Sequence, residues 1–285
     1  MSSISVLMVV YNEEDTISEA MKSVLIQSFS DFELIIVDDG STDNTHEIIK
    51  SFKDKRIRFI KSDHDFVKSL NIGLYASSGK YIAGMTGNDI MHIDRLKIQY
   101  SILEEFQKVT VCCCMEMIYG DTMPVRIAKE QMIGLIELPL LELLMNDSLI
   151  NSACFFICRS FVLANSIRFE NYPFAENYKF LVETARRNGV FYIESQPLIY
   201  RRVSDANLLR KVRTKKLQYI NKIKMEVINS LCSINKIAFP ALTSLYQSYY
   251  ELSEQKLILE NEISKHFCDL FMINKDKLII KDFNH

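Results

Sequence analysis

The sequence lacks the features that place a chain across a membrane or on nucleic acid. No apolar run among its 285 residues approaches the roughly 20 residues that a membrane-spanning helix needs. The apolar stretch Ile4–Val10 is short and follows no basic segment, so we expect no secretory signal peptide. The formal net charge of −2 gives no overall basic field and argues against a nucleic-acid partner. We therefore expect a cytoplasmic protein, either soluble or peripheral to a membrane.

Cysteine is present, but its pattern indicates neither a disulfide framework nor a metal site. The seven cysteines include no Cys-x-x-Cys pair, and Cys112, Cys113 and Cys114 are consecutive. Consecutive cysteines suit a buried strand better than a set of disulfides. We interpret them as reduced thiols, as in a cytosolic protein.

Glycine and proline become scarce towards the C-terminus. Residues 206–285 contain no glycine and a single proline, Pro240, and their pattern predicts a mostly helical extension. We place a domain boundary after residue 205. The preceding residues 1–205 are predicted to form one domain with two halves, residues 1–100 and residues 101–205.

The first hundred residues alternate between strand and helix patterns. Ile4–Val10, Glu33–Val37, Ile57–Lys61 and Tyr81–Met85 are apolar-rich runs, and segments with helical spacing of apolar residues separate them. This order predicts an α/β fold with a Rossmann-like, mostly parallel central sheet flanked by helices. A further strand is predicted over Val190–Glu194.

Polar or glycine-containing clusters follow three of these strands, and they are Tyr11–Glu13, Asp38–Gly40 and Thr86–Asp89. In parallel sheets, ligands bind outside the carboxyl ends of the strands. The carboxylates of Asp38 and Asp39 suit the ribose and base of a nucleotide, and Gly40 allows a close backbone approach. Asp89 suits a divalent cation beside phosphates. The alternative for the aspartates is local turn and helix-cap chemistry.

Several motifs in order carry a resemblance to a known family. They are Met8–Glu13, Val37–Asp43, Lys68–Gly73, Gly79–Ala83 and then Asp94–Leu96 with Gln99. The set resembles family 2 glycosyltransferases of the GT-A fold and covers residues 3 to 100 at the family's spacing. A fainter similarity continues through residues 151–202. We interpret Asp94 and Arg95 as a helix cap and a structural ion pair rather than as ligands.

The resemblance implies an inverting transferase that takes its sugar from a nucleotide diphosphate sugar, with uracil as the family's usual base. Residues 1–100 would then bind the donor and residues 101–205 the acceptor. The donor-binding residues implied are Val10, Tyr11, Asn12, Glu13, Asp38, Asp39, Gly40, Lys68, Asn71, Thr86, Gly87, Asn88, Arg201 and Arg202. The arginines suit the diphosphate because guanidinium matches phosphate geometry, although Val203 replaces the histidine that often follows them in the family.

The cluster predicted to hold the cation differs from the family's usual sequence. Thr86-Gly87-Asn88 stands where the family usually has Asp-x-Asp, and Asp89 is retained. Asp89 and Asn88 are therefore the predicted ligands of a divalent cation, Mn²⁺ or Mg²⁺, with reduced affinity because an amide oxygen carries no charge.

The family's general base lies in an acidic pair before a helix, and the matching residues here are Glu176 and Asn177. Only Glu176 can take a proton from an acceptor hydroxyl, so it is the predicted catalytic residue. The missing carboxylates leave an alternative open, namely a catalytically impaired module that binds nucleotide sugars. A nucleotidyltransferase would instead carry a glycine-rich, basic loop after the first strand, where residues 11–15 are acidic.

The helical extension begins with a basic amphipathic segment, residues 208–224. Lysine and arginine alternate there with apolar residues and no acid intervenes. Such a helix suits an anionic membrane surface, which fits a glycan or lipid-linked acceptor in surface polysaccharide synthesis. The alternatives are a solvated face packed on the catalytic domain and a homodimer contact.

Overall fold

The computed structural model describes residues 2–120, 123–127, 133–136, 138–145, 154–203 and 206–234. The strands are β1 Ile4–Val10, β2 Phe32–Asp38, β3 Ile57–Lys61, β4 Tyr81–Thr86, β5 Ile90–Met91, β6 Val111–Gly120, β7 Met123–Ile127, β8 Gly134–Ile136, β9 Phe156–Cys158 and β10 Phe191–Arg202. The helices are α1 Ile17–Leu25, α2 Thr45–Ser51, α3 Phe66–Ala76, α4 Arg95–Glu105, α5 Pro139–Met145, α6 Arg159–Ala164, α7 Glu176–Arg186 and α8 Ala206–Ile234.

All the described strands join one sheet, in the order β3-β2-β1-β4-β9-β6-β10-β5, with β7 beside β6 and β8 beside β10. The pairs β1–β2, β1–β4, β2–β3 and β6–β10 are parallel, whereas β9 runs antiparallel to β4 and β6. The prediction of an α/β fold with a mostly parallel central sheet flanked by helices is confirmed.

Strand β1 is buried on both faces, which explains its continuous apolar sequence. On one face, Met8 and its even-numbered neighbours share a core with apolar residues of α1 and α4. On the other face, a Cβ added at Gly73 of α3 would come within 2.1 Å of Leu7, so that helix lies tightly against the sheet. Helices therefore cover both faces of the sheet at β1.

The chain forms two compact units. Of the described residues, the first holds those within Met1–Glu137, Ile150–Asn171 and Gly189–Ala206, and the second those within Leu138–Leu149, Tyr172–Asn188 and Asn207–His285. Because the units interleave along the sequence, the predicted limits at residues 100 and 205 remain predictions.

Within the described ranges, no helix is both long enough and apolar enough to cross a membrane. The described cysteines of the predicted strand, Cys112 to Cys114, are free thiols buried in β6. Their interpretation as strand residues is therefore confirmed.

Candidate functional site

The register of the parallel strands brings the three polar clusters together at one edge of the sheet. Val10 of β1 pairs with Asp38 of β2, and Val9 pairs with Thr86 of β4. The residues that follow each strand therefore emerge side by side. This edge of the first unit is the candidate site.

Asp39 is buried and held in one orientation by α3. It is 2% exposed, its N–H donates to the Val10 carbonyl at 2.8 Å, and its Oδ1 accepts from the Asp65 N–H at 2.8 Å and the Ser69 hydroxyl at 2.6 Å. Asp38 is equally buried, and its Oδ1 accepts from the Ser41 N–H at 2.9 Å. Asp38 thus closes the local turn, while Asp39 is fixed at the edge of the site.

The rings of Tyr11 and His64 form an aromatic platform next to Asp39, and Gly40 lies against His64. The ring centroids of Tyr11 and His64 are 4.2 Å apart, and His64 Nδ1 lies 3.1 Å from the Asp39 carbonyl oxygen. Gly40 has a φ of +81°, and a Cβ there would lie 3.3 Å from His64 Cβ. Because Tyr11 is 41% exposed, the platform can stack a planar ring such as a nucleobase. From the sequence, His64 is interpreted as structural because it has no partner at metal-ligand spacing, whereas the structure brings it to the candidate site.

Asn12 and Glu13 tie the loop after β1 to the loop after β2. Asn12 Oδ1 accepts from the Thr42 N–H at 2.8 Å, and the Asn12 N–H donates to the Ser41 hydroxyl at 3.0 Å. The Glu13 N–H donates to the Thr45 hydroxyl at 2.7 Å. The Asn12 side chain therefore holds the two loops in place.

The Glu13 carboxyl group is buried beside Gly87. A Cβ added at Gly87 would lie 1.8 Å from Glu13 Oε2, which is why this position has no side chain. Oε2 is buried and has no hydrogen-bond partner among the residues that the structure describes. Burial, followed by the negative charges of Asp89 and Asp43, raises the pKa of Glu13 to about 8.

This pKa predicts a pH-dependent stability. Between about pH 5 and pH 8 the folded state retains a proton that the unfolded state releases, so the free energy of unfolding falls as pH rises. Replacing Glu13 by Gln should remove that slope and make the variant more stable than wild type at pH 8 by roughly 2 kcal/mol or more. Urea denaturation at pH 5.5 and pH 8, with EDTA present, measures the difference.

The matched control is Asp15→Asn, which removes an exposed carboxylate two residues away. Its stability difference from wild type should be the same at both pH values. Equal pH slopes for wild type and Glu13→Gln would show that the Glu13 carboxyl is already ionised at neutral pH.

Asp89 lies buried between β4 and the end of β10. It is 3% exposed, and its Oδ1 accepts from the Arg202 N–H at 3.0 Å. Burial raises the pKa of this carboxyl group. Among the described residues, no three His, Cys, Asp or Glu side chains cluster as a metal site. The Asp89 carboxylate lies close enough to Glu13 for its charge to raise the pKa of Glu13, and carboxyl oxygens are ligands of the kind that hard divalent cations prefer.

Arg202 spans the loop that carries Asn88 and Asp89. Its Nε donates to the Asn88 carbonyl at 3.3 Å, its Nη2 pairs with the Glu19 carboxylate of α1, and its guanidinium carbon lies 5.1 Å from the Tyr119 ring centre. Neither Glu19 nor Tyr119 was among the predicted site residues. Arg202 therefore lies beside Asn88 and Asp89 with its charge paired to a carboxylate, and its contact with a donor diphosphate stays a prediction.

The remaining predicted donor contacts differ in their surroundings. Arg201 Nε donates to Glu116 Oε1 at 3.1 Å, and the exposed Lys68 Nζ lies 3.4 Å from Asp63 Oδ2. The Asn71 amide bonds to both the N–H and the carbonyl of Phe169, at 2.9 and 3.0 Å. Asn71 thus joins α3 to the segment after α6, and its predicted donor contact would have to share that amide.

Glu176 belongs to the second unit, where it is the first residue of α7. It is 7% exposed, and its Oε1 accepts from the Phe174 N–H at 3.2 Å. Burial raises the pKa of its carboxyl group, while Lys216 and the backbone hydrogen bonds partly offset this. A carboxylate with a raised pKa in a buried position has the properties of a general base.

Proteins of known sequence are similar to this chain. An uncharacterized glycosyltransferase of Haemophilus influenzae is 27% identical over 98% of this chain and 96% of its own length. An Escherichia coli protein named UDP-Glc:alpha-D-GlcNAc-diphosphoundecaprenol beta-1,3-glucosyltransferase is 34% identical over 35% of this chain and 40% of its own length. This chain thus spans less than half of some curated relatives that it matches.

Solved structures share the fold at low sequence identity. TarS of S. aureus in complex with UDP-GlcNAc has a TM-score of 0.63 at 16% identity, covering 96% of this chain and 92% of that one. The mannosyltransferase PcManGT of Pyrobaculum calidifontis in complex with GDP-Man and Mn²⁺ has a TM-score of 0.57 at 13% identity, covering 97% and 88%. These similarities establish a GT-A-type fold.

The family model described as Glycosyl transferase family 2 matches residues 5–166, which is more than half of the chain. This range includes the three strand-end clusters of the candidate site. The chain belongs to glycosyl transferase family 2.

Proposed function

We propose that this glycosyltransferase transfers a hexose or N-acetylhexosamine from a UDP-sugar to a glycan or lipid-linked acceptor, with inversion at the anomeric carbon. The observation that carries the proposal is the convergence of Asp39, Asp89 and the platform of Tyr11 and His64 at the carboxyl edge of one parallel sheet. The relatives named for UDP-glucose and UDP-GlcNAc support uracil as the base.

The nucleoside would bind at the Asp39 end of the site. The exposed Tyr11 ring supplies a stacking surface for the base, and the fixed Asp39 carboxylate supplies acceptors for base or ribose donors. Gly40, with its left-handed φ of +81°, shapes the turn that follows Asp39.

The diphosphate would bind at the Asp89 end, beside Arg202. A divalent cation held by Asp89, with the Asn88 side chain and Glu13 as further oxygen donors, would offset the charge of the leaving diphosphate. Arg202 would contribute a guanidinium there, held by the Asn88 carbonyl and the Glu19 carboxylate.

Glu176 would act as the general base. The acceptor hydroxyl oxygen forms a bond to the anomeric carbon while the bond from that carbon to the diphosphate oxygen breaks. The hydroxyl proton passes to the Glu176 carboxylate, and UDP leaves with the bonding electron pair. A single displacement of this kind inverts the anomeric configuration.

We place the acceptor at a membrane surface on the cytoplasmic side, as expected for a lipid-linked glycan. Lys215 and Lys222 on α8 are exposed and support an electrostatic contact with anionic lipid. Ile220, Ile223 and Lys224 are buried within the second unit, so these three residues are not available for insertion. The side chains of residues 208–213 and the whole of residues 235–285 lie outside the described parts. The alternative of a homodimer contact through the helical extension therefore stays a prediction.

A panel of nucleotide sugars tests this proposal, with thermal stability and UDP release as the two measurements. UDP-glucose, UDP-GlcNAc, UDP-galactose and GDP-mannose would each be added with and without Mn²⁺, and with a methyl glycoside or water as the acceptor of the sugar. We expect stabilisation by at least one UDP-sugar and UDP release above background. Stabilisation without any release would favour the alternative of a nucleotide-sugar-binding module. The replacement of family carboxylates by Asn88 and Asn177 is the observation that supports this alternative. Neither stabilisation nor release would contradict the proposal.

A further inference from the structure

Phe174 adopts a backbone conformation that is unusual for a bulky residue. Its φ is +67°, in the left-handed region, where Gly and Asn are common and an aromatic side chain is an outlier. Such a conformation is unfavourable for a bulky residue and persists only where surrounding contacts impose it.

The turn that contains Phe174 is anchored on both sides. The Ala175 N–H donates to the Tyr172 carbonyl at 2.7 Å, and the Lys179 N–H donates to the Ala175 carbonyl at 2.9 Å as α7 begins. Tyr172 is tied to α8 by a 2.7 Å hydrogen bond from its hydroxyl to Glu226 Oε2. Two helices therefore hold the strained residue in position.

This strain keeps an aromatic ring at the surface beside the predicted base. Phe174 is 45% exposed, although burying a phenylalanine ring would be favourable. Its N–H donates to Glu176 Oε1 at 3.2 Å, so one backbone turn fixes both the buried carboxylate and the exposed ring. Because the Phe174 ring is exposed, packing of the ring in the core does not account for the strained backbone at this residue.

We propose that Phe174 binds the acceptor sugar by stacking its ring on the apolar face of a pyranose next to Glu176. A pyranose presents a patch of C–H groups on one face, and an aromatic ring packs on such a patch without competing for its hydroxyls. The stacked sugar would place a hydroxyl group towards the Glu176 carboxylate. This inference rests on the proposed function and names the acceptor site of the same enzyme.

Three variants test the role of the Phe174 ring. Phe174→Tyr keeps a ring, whereas Phe174→Gly removes the ring and relieves the left-handed strain, so it should fold at least as stably as wild type. Tyr75→Ala is the matched control, since Tyr75 is another exposed aromatic residue, 58% accessible, near the end of α3.

The measurement is saturation-transfer NMR with methyl β-D-glucopyranoside and methyl N-acetyl-β-D-glucosaminide, in the presence of saturating UDP. Wild type, Phe174→Tyr and Tyr75→Ala should transfer saturation to the pyranose ring protons of at least one probe. Phe174→Gly should transfer at least five-fold less while its UDP affinity stays within two-fold of wild type.

Two results would overturn the inference while leaving the proposed function in place. One is full saturation transfer from Phe174→Gly, and the other is no transfer from a wild-type protein that binds UDP. Failure of wild type to bind UDP would instead contradict the proposed function itself.

Discussion

Replacement of Glu176 by Gln should abolish sugar transfer while leaving UDP binding intact. A general base contributes about 10²–10⁴-fold to rate, so kcat should fall by roughly that factor. Gln preserves the shape of the side chain, and its carbonyl can still accept the Phe174 N–H, but it cannot take a proton. Steady-state transfer kinetics and a parallel UDP titration measure the two effects.

The pH profile of wild type adds a second check on this residue. The base must be ionised to work, so transfer should rise with pH through the pKa of Glu176 and then level off. Because burial raises that pKa, the acidic limb should lie above the range of an ordinary glutamate. The control Glu105→Gln, an exposed acid at the end of α4, should keep the wild-type profile. Transfer by Glu176→Gln within three-fold of wild type would remove Glu176 from the mechanism.

Replacement of Arg95 by Ala should destabilise the first unit by at least about 3 kcal/mol. The side chain is 0% exposed, and its guanidinium donates to the carbonyls of Gly84 and Phe155 and to Gln99 Oε1. Each buried acceptor left without a donor costs about 1–3 kcal/mol. Because small domains have only about 5–15 kcal/mol in total, much of the protein should unfold at modest urea concentrations.

Urea denaturation followed by circular dichroism measures this loss. Lys97→Ala, an exposed change on the same helix, should shift the free energy of unfolding by less than about 0.5 kcal/mol. The loss of unfolding free energy in Arg95→Lys should lie between those of Arg95→Ala and Lys97→Ala. Lysine keeps the charge, but it cannot donate to three acceptors in one plane as a guanidinium does. A loss below 1 kcal/mol for Arg95→Ala would show that these hydrogen bonds do not support the sheet.

The same residue shows one limit of sequence reasoning. Asp94-Arg95-Leu96 predicted a cap and an ion pair, but among the described residues the hydrogen-bond partners of Arg95 are neutral groups on β4, on α4 and beside β9. Asp94 occupies the N-cap position of α4 without a side-chain cap bond. The prediction of an ion pair was wrong because the hydrogen-bond partners of Arg95 lie up to 60 positions away in the sequence, where a local pattern carries no information.

The strand ends could be predicted because each signal is local. Buried parallel strands are apolar runs, and the polar residues after them must lie at one edge. The far side of the site could not be predicted in this way. Strand β10 continues beyond the predicted Val190–Glu194 to Arg202, and only this extension brings Arg202 to Asp89 and Glu19. The raised pKa of Glu13 likewise depends on burial that no motif encodes.

Calorimetric titration with UDP, with and without Mn²⁺, tests the central claim most directly. The account predicts saturable binding to wild type and to Asp31→Asn, a control at the opposite edge where Asp31 precedes β2. It predicts at least ten-fold weaker binding to Asp39→Ala, which removes the fixed carboxylate of the nucleoside end. No UDP binding by wild type, or equal affinity in Asp39→Ala, would contradict a nucleotide-sugar site at this edge of the sheet.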